Sequence, residues 1–247
     1  MIKRAAWSAV LFAAIVLSSC GGQDEGEVVL VMAASSLTNA FSEIELAFES
    51  AHPEIDVQLN LAGSASLREQ ILQGAPADVF ASANSATMQA VLDAGEATTS
   101  VTFATNTLQI AVPLDNPGAV TGIADLANED LLVGLCGEQV PCGQFARQAL
   151  EQAGVVASVD TNEGDVRALV TKLEAGELDV GIVYATDVLS SNEITGIALP
   201  ATTDVVVAYP IAQLTNAANE DGARQFVEFV LSVEGQAILA STGFASP

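Results

Sequence analysis

Apolar and polar positions along this chain switch repeatedly between two periods, and the switches mark its elements. Val28–Ala33 is a continuous apolar run, the pattern of a buried strand. Leu37, Phe41, Ile44 and Phe48 then recur at helical spacing, and His52-Pro53 ends that helix. Ile55–Leu61 alternates apolar with polar residues and predicts a second strand. Gly63-Ser64-Ala65-Ser66 opens a helix carrying Leu67, Ile71 and Leu72, stopped by Gly74. Ala77–Ala81 predicts a third strand, and Ser85–Ala94 a third helix closed by Gly95. The series restarts near Leu108. Strands are expected at Leu108–Val112, Leu131–Leu135, Val155–Val159 and Leu178–Val183, with helices at about Gly143–Ala153 and Asp165–Ala175. Asp204–Ala208 returns as a strand, and helices near Glu220–Leu231 and Glu234–Ser241 close the chain.

Strands alternating with helices imply an α/β protein with parallel sheets flanked by helices. The length suits two lobes better than one open sheet. Strands around Thr107–Val112 and Val205–Ile211 are the expected crossings between them. On that division lobe 1 is 27–106 plus 210–247, and lobe 2 is 107–209. Two crossover strands make a hinge, and the cleft between the lobes is the expected ligand site. The architecture repeats, but no internal sequence repeat is evident.

The amino terminus changes the picture of where this chain works. Lys3 and Arg4 precede an apolar run from Ala5 to Leu17, then Ser18, Ser19 and Cys20. That is the pattern of a secretory signal over 1–19, too short for a membrane span. Leu17-Ser18-Ser19-Cys20 resembles a lipobox, with cleavage before Cys20, lipidation of that cysteine and a flexible linker over 20–26. The expected location is therefore outside the cytoplasm, on the outer face of the cell membrane. A formal charge of −24, from 7 basic and 31 acidic residues, excludes nucleic acid as a partner and electrostatic attachment to anionic lipid. Cys136 and Cys142 remain. In an exported protein a disulfide is their default, and closing so short a loop is worth about 2–2.5 kcal/mol by the chain-entropy argument. A metal site is the alternative, but two thiols lack companions when the lone histidine is His52.

The candidate chemistry sits where strands run into helices. Val31–Ala34 leads to Ser35-Ser36 at a helix start, and Leu59–Ala62 leads to Gly63-Ser64 at another. The cysteine loop leads into Pro141-Cys142-Gly143, and Asn162-Glu163-Gly164-Asp165-Val166 opens a further helix. Gly181-Ile182-Val183-Tyr184 brings a phenol to a strand end. In an open α/β sheet ligands gather at the carboxyl ends of strands. Helix N-termini there offer unpaired N–H groups and a positive dipole end, a seat for an anion. Taken singly, each residue has a plainer reading: Ser36 and Ser64 as N-caps, Val166 and Tyr184 as core, Asp165 as a helix cap.

Taken together, Ala33-Ala34-Ser35-Ser36-Leu37-Thr38-Asn39-Ala40, Gly74-Ala75-Pro76-Ala77-Asp78-Val79-Phe80, Asp165-Val166-Arg167 and Gly181-Ile182-Val183-Tyr184 resemble the molybdate-binding proteins of ABC importers. The resemblance runs from about Val28 to Phe244. It implies a two-lobed class II periplasmic-binding-protein fold that closes on molybdate or tungstate. It also implies an ABC permease and its ATPase as partners, a monomer, no enzymatic activity, no cofactor and no direct metal ligand. The family's ligand contacts fall on Ser36, Ser64, Cys142, Val166 and Tyr184. Cys142 departs from the alanine common there, and a backbone N–H contact would survive the change. Ser35 adds a second hydroxyl one residue away. No Lys or Arg falls at these positions, so dipoles and hydrogen bonds alone must hold the anion.

Three alternatives stay open on the same residues. The ligand is another oxyanion such as sulfate, or a small organic acid forked by an arginine. Arg68 and Arg167 are the nearest candidates for that fork, and both are expected to sit solvated on helices. A serine hydrolase would need a base near Ser36 or Ser64 and a nucleophile elbow, and neither pattern is present.

Overall fold

A computed structural model describes residues 27–203 and 205–247. The expected signal, Cys20 and linker lie outside the described residues. In chain order the elements are β1 (Glu27–Ala34), α1 (Thr38–Ala51), β2 (Ile55–Ala62), α2 (Ser64–Leu72), β3 (Val79–Ala81), α3 (Ser85–Asp93), β4 (Val101–Asn106) and β5 (Leu108–Pro113). They continue with β6 (Val133–Cys136), α4 (Pro141–Ala153), β7 (Val159–Glu163), α5 (Val166–Glu174), β8 (Val180–Tyr184), α6 (Ala185–Leu189), β9 (Ile194–Ala198), β10 (Val207–Gln213), α7 (Glu220–Leu231) and α8 (Val233–Ser241).

Two mixed five-stranded sheets result, ordered β2-β1-β3-β10-β4 and β7-β6-β8-β5-β9. The same plan is built twice. In each, a first strand (β1 or β6) pairs in parallel with two neighbours, and a strand from the crossing region (β10 or β5) joins antiparallel. Because the connections leave β1 and β6 in opposite directions along the sheet, a crevice opens at their carboxyl ends. β4 and β10 pair in the first sheet and β5 in the second. The chain therefore passes between sheets at Thr107, and again between Ala198 and Val207.

The apolar stripe of α1 explains why the last helices return to the first lobe. Phe41 and Phe48 are fully buried. Phe41 meets Phe103 of β4 and Phe226 of α7 with ring centroids 5.8 and 6.0 Å apart, and Phe48 meets Phe226 and Phe229 at 5.4 and 5.6 Å. Burying each such ring is worth about 1.5–3 kcal/mol.

Several elements differ from the sequence pattern. The expected strand Val155–Val159 is a loop up to Ser158: Gly154 leaves α4 in the left-handed region at φ 67°, and Val156 is 88% exposed. The strand there is β7, whose polar Asp160, Thr161 and Asn162 hide it from a hydrophobicity argument at the sheet edge. The strand expected at Asp204–Ala208 begins at Val207 and runs on through a bulge between Tyr209 and Pro210, which accommodates the missing N–H of the proline. β4, β9 and the single-turn-scale α6 have no counterpart in the sequence reading.

Candidate functional site

The first sheet contributes two helix tips. β1 is buried to its end and rolls through a 3-10 turn, Ser35–Leu37, into α1. Ser36 is buried, and its Oγ lies 3.0 Å from the Tyr209 Oη. Gly63 precedes α2 with an extended backbone, and Ser64 occupies the first helical position. The Ser64 Oγ accepts the Ala83 N–H at 3.0 Å, which fixes its rotamer.

The second sheet contributes two more. Cys136 and Cys142 form a disulfide with Cα atoms 5.8 Å apart, folding the loop after β6 back onto the start of α4. Pro141 stands in the first turn, where a missing N–H costs nothing. Gly143 is required by contact: a Cβ there would lie 2.0 Å from the Gly137 carbonyl oxygen and 2.5 Å from that of Cys136. Arg147 fastens the same loop, donating Nη1–H to the carbonyls of Cys136 and Gly143 at 2.8 and 3.1 Å and Nη2–H to Asn162 Oδ1 at 2.7 Å. The Asp165 side chain caps α5 by accepting the Ala168 N–H at 3.0 Å. The Val166 N–H, in the first turn, has no acceptor within the helix.

Tyr184 ends β8. Its N–H donates to Asp187 Oδ2 at 3.1 Å, and its ring stands edge-on to Tyr209 with centroids 5.9 Å apart. The Tyr184 Oη is buried and, among the described residues, has no hydrogen bond of good geometry; the Tyr209 hydroxyl is the polar group beside it. A buried hydroxyl left in that condition costs about 1–3 kcal/mol, so it marks a place where something polar is expected. Burial pushes the Tyr184 phenol well above its ordinary 10, and burial likewise raises Tyr209. Both phenols therefore keep their protons at neutral pH and remain donors.

These features converge. Ser36, Ser64, Cys142, Val166 and Tyr184 all line one cavity, with Ser35, Ala83 and Pro141 beside them. Its volume is about 10 Å3, room for a single water-sized body. No Lys or Arg lines it. The lobes meet tightly at its edge, since a Cβ on Gly63 would lie 2.6 Å from the Gly164 carbonyl oxygen. A second cavity of about 180 Å3 adjoins it through Ser36 and is lined also by Asn39, Glu43, Arg167 and Asp187. Asp187 is 2% exposed, and burial above all raises its carboxyl to about 7, against the opposing pull of the Tyr184 N–H and Arg167 and with the reinforcement of Asp165.

Sequence reasoning missed several of the groups that shape this region. Tyr209 was hidden in a strand whose start was displaced, although the chain has only 2 tyrosines to consider. Arg167 is not simply solvated: its guanidinium donates to Asn39 Oδ1 on the other lobe. Asp187 carries no local pattern that separates it from a helix-start acid.

Residues 29–245 match the bacterial extracellular solute-binding protein family. The molybdate-binding protein ModA of Mycobacterium tuberculosis (strain ATCC 25618 / H37Rv) is 38% identical over 233 residues, which cover 93% of this chain and 89% of that protein. ModA of Escherichia coli (strain K12) is 30% identical over 233 residues, 90% of each chain. Among solved structures, the periplasmic molybdate-binding protein of Azotobacter vinelandii superposes with a TM-score of 0.77 at 20% identity, over 89% of this chain and 99% of that one, a likeness of fold.

Proposed function

The chain belongs to the bacterial extracellular solute-binding protein family, and on that premise we propose that it captures molybdate, and tungstate with it, for an ABC importer. The observation that carries this reading is the unpartnered Tyr184 Oη in a cavity that also gathers Ser36, Ser64, Cys142 and Val166. The hydroxyls of Ser36, Ser64 and Tyr184 and the N–H groups of Cys142 and Val166 all donate. The tips of α1, α2, α4 and α5 direct their positive ends inward. A donor-only pocket selects an ion that carries no proton. Phosphate at neutral pH keeps a proton and needs an acceptor carboxylate, which the cavity wall lacks. Charge-assisted bonds from both lobes offset the dehydration of the dianion, and closure is driven by the bonds that only the shut form can make. The lipid anchor at Cys20 holds the protein at the outer face of the membrane beside the permease, whose ATPase works from the cytoplasmic side.

The test is titration calorimetry of the mature protein with molybdate, tungstate, sulfate and phosphate. Tight binding of the first two with none of phosphate is expected. Tight binding of phosphate or sulfate without molybdate overturns the reading.

A further inference from the structure

Each helix tip that lines the cavity has a close neighbour that reaches across to the other lobe. Asn39 lies three residues beyond Ser36 on α1, and its Oδ1 accepts from the guanidinium of Arg167, the residue after Val166 on α5. Asn84 follows Ala83, the residue that orients Ser64, and its Nδ2–H donates to Oε1 of Gln144 at 2.8 Å. Gln144 lies two residues beyond Cys142 on α4. One pair thus ties the Ser36 tip to the Val166 tip, and the other ties the Ser64 tip to the Cys142 tip. Neither pair lies within a lobe.

The surroundings make the pairs directional rather than incidental. Asn84 is buried, and its Oδ1 is already committed to the Thr87 N–H at 2.8 Å as the cap of α3, so its Nδ2 is presented outward at a fixed angle. Arg167 lines the adjoining cavity together with Asn39, Glu43 and Asp187. Gly63 lies against the Gly164 carbonyl at the same edge, so the side-chain pairs bridge the lobes where their backbones also come into contact.

We infer that Asn39–Arg167 and Asn84–Gln144 are latches between the lobes, formed in the shut state and setting how long the anion is retained. This inference rests on the oxyanion reading of the cavity above. The latches touch no ligand atom in that reading. They act through the positions of the donor tips, so they are positioning residues. Their removal accelerates release and leaves capture unchanged, because the pairs are unmade in the open form that first meets the ion.

The experiment is a chase. Mature protein is loaded with radiolabelled molybdate, mixed with excess unlabelled molybdate, and sampled by rapid filtration. Asn39→Ala and Gln144→Ala remove exposed side chains, so folding is not at stake. Release is expected to quicken about threefold for Gln144→Ala and about fivefold for Asn39→Ala, whose bond is charge-assisted. The double variant multiplies the two, since the pairs share no residue. Asn39→Asp keeps an acceptor for Arg167 and retains slow release. Melting of the unliganded protein stays unchanged in all of them. Release at the wild-type rate in the double variant overturns the inference, and so does a parallel fall in unliganded stability, which marks ordinary structural contacts. If the wild-type protein retains no molybdate, the oxyanion reading fails instead. The latches are then judged by small-angle scattering, where an unchanged lobe separation in the double variant counts against them.

Discussion

Replacing Asp187 by Asn isolates the energetic cost of a carboxyl group sealed behind the candidate site. Asp187 is 2% exposed and takes one hydrogen bond, from the Tyr184 N–H, which Asn can accept equally well through Oδ1. Burial raises the acid from an ordinary 3.8 to about 7, with Arg167 and the Tyr184 N–H pulling it down and Asp165 pushing it up. Between these two values the native state holds a proton that the unfolded chain has released. Stability from this group is therefore fully present below about pH 4 and is lost as pH rises through about 7. The difference of about three pH units corresponds to about 4 kcal/mol, of which about 2 to 3 kcal/mol falls between pH 5 and 8. Asn mimics the protonated acid and carries no such dependence. Urea unfolding of both proteins without ligand, at several pH values across that range, reads the difference directly, because the other carboxylates cancel. The stability gained by Asp187→Asn should grow with pH and level off above about pH 8. A difference that is flat with pH, or that shrinks as pH rises, refutes the argument that burial dominates this group.

Further outcomes follow from the same geometry. Tyr184→Phe removes a buried donor that faces the cavity without a partner among the described residues: molybdate affinity should fall about 10- to 100-fold in calorimetry, while unliganded stability holds or rises because a buried orphan hydroxyl is gone. Gly63→Ala places a methyl 2.6 Å from the Gly164 carbonyl oxygen, so affinity should fall at least about tenfold with the unliganded melt nearly unchanged. Cys136→Ser with Cys142→Ser opens the loop before α4 and should cost about 2 kcal/mol in urea unfolding, with no comparable loss under reducing conditions where the wild type has lost the bond as well.

What could be read in advance was what has a local signature. The strand-to-helix junction at Ser36 announces itself through an apolar run and the 3.6-residue recurrence of Phe41, Ile44 and Phe48, and α1 follows that stripe. α4, α5 and α7 were legible for the same reason. β7 was not, since Asp160, Thr161 and Asn162 are set by pairing with β6 rather than by burial. β9 was also missed, an edge strand with alternate residues facing solvent. At the candidate site, Ser36, Ser64, Cys142, Val166 and Tyr184 follow from the junctions and the family resemblance, and all five line one cavity. The groups behind them escaped. Arg167 and Asn39 are 128 positions apart, Asn84 and Gln144 are 60 apart, and Ser36 and Tyr209 are 173 apart. Nothing in a window of neighbouring residues encodes such meetings. They depend on two sheets being set face to face.

The passage from β4 to β5 uses one residue, Thr107, and it is braced on both sides. The Thr107 carbonyl accepts the Ala185 N–H at 2.9 Å, and Asn106 Nδ2–H donates to Thr186 Oγ1 at 2.9 Å. A joint so short acts as a fulcrum. In the proposed closure, points close to a fulcrum travel least, so Tyr184 and Tyr209, whose rings pack together beside this joint, hardly change their mutual distance while the jaws swing. The aromatic floor of the trap is then ready-made before any ion arrives, and only the rim has to be assembled.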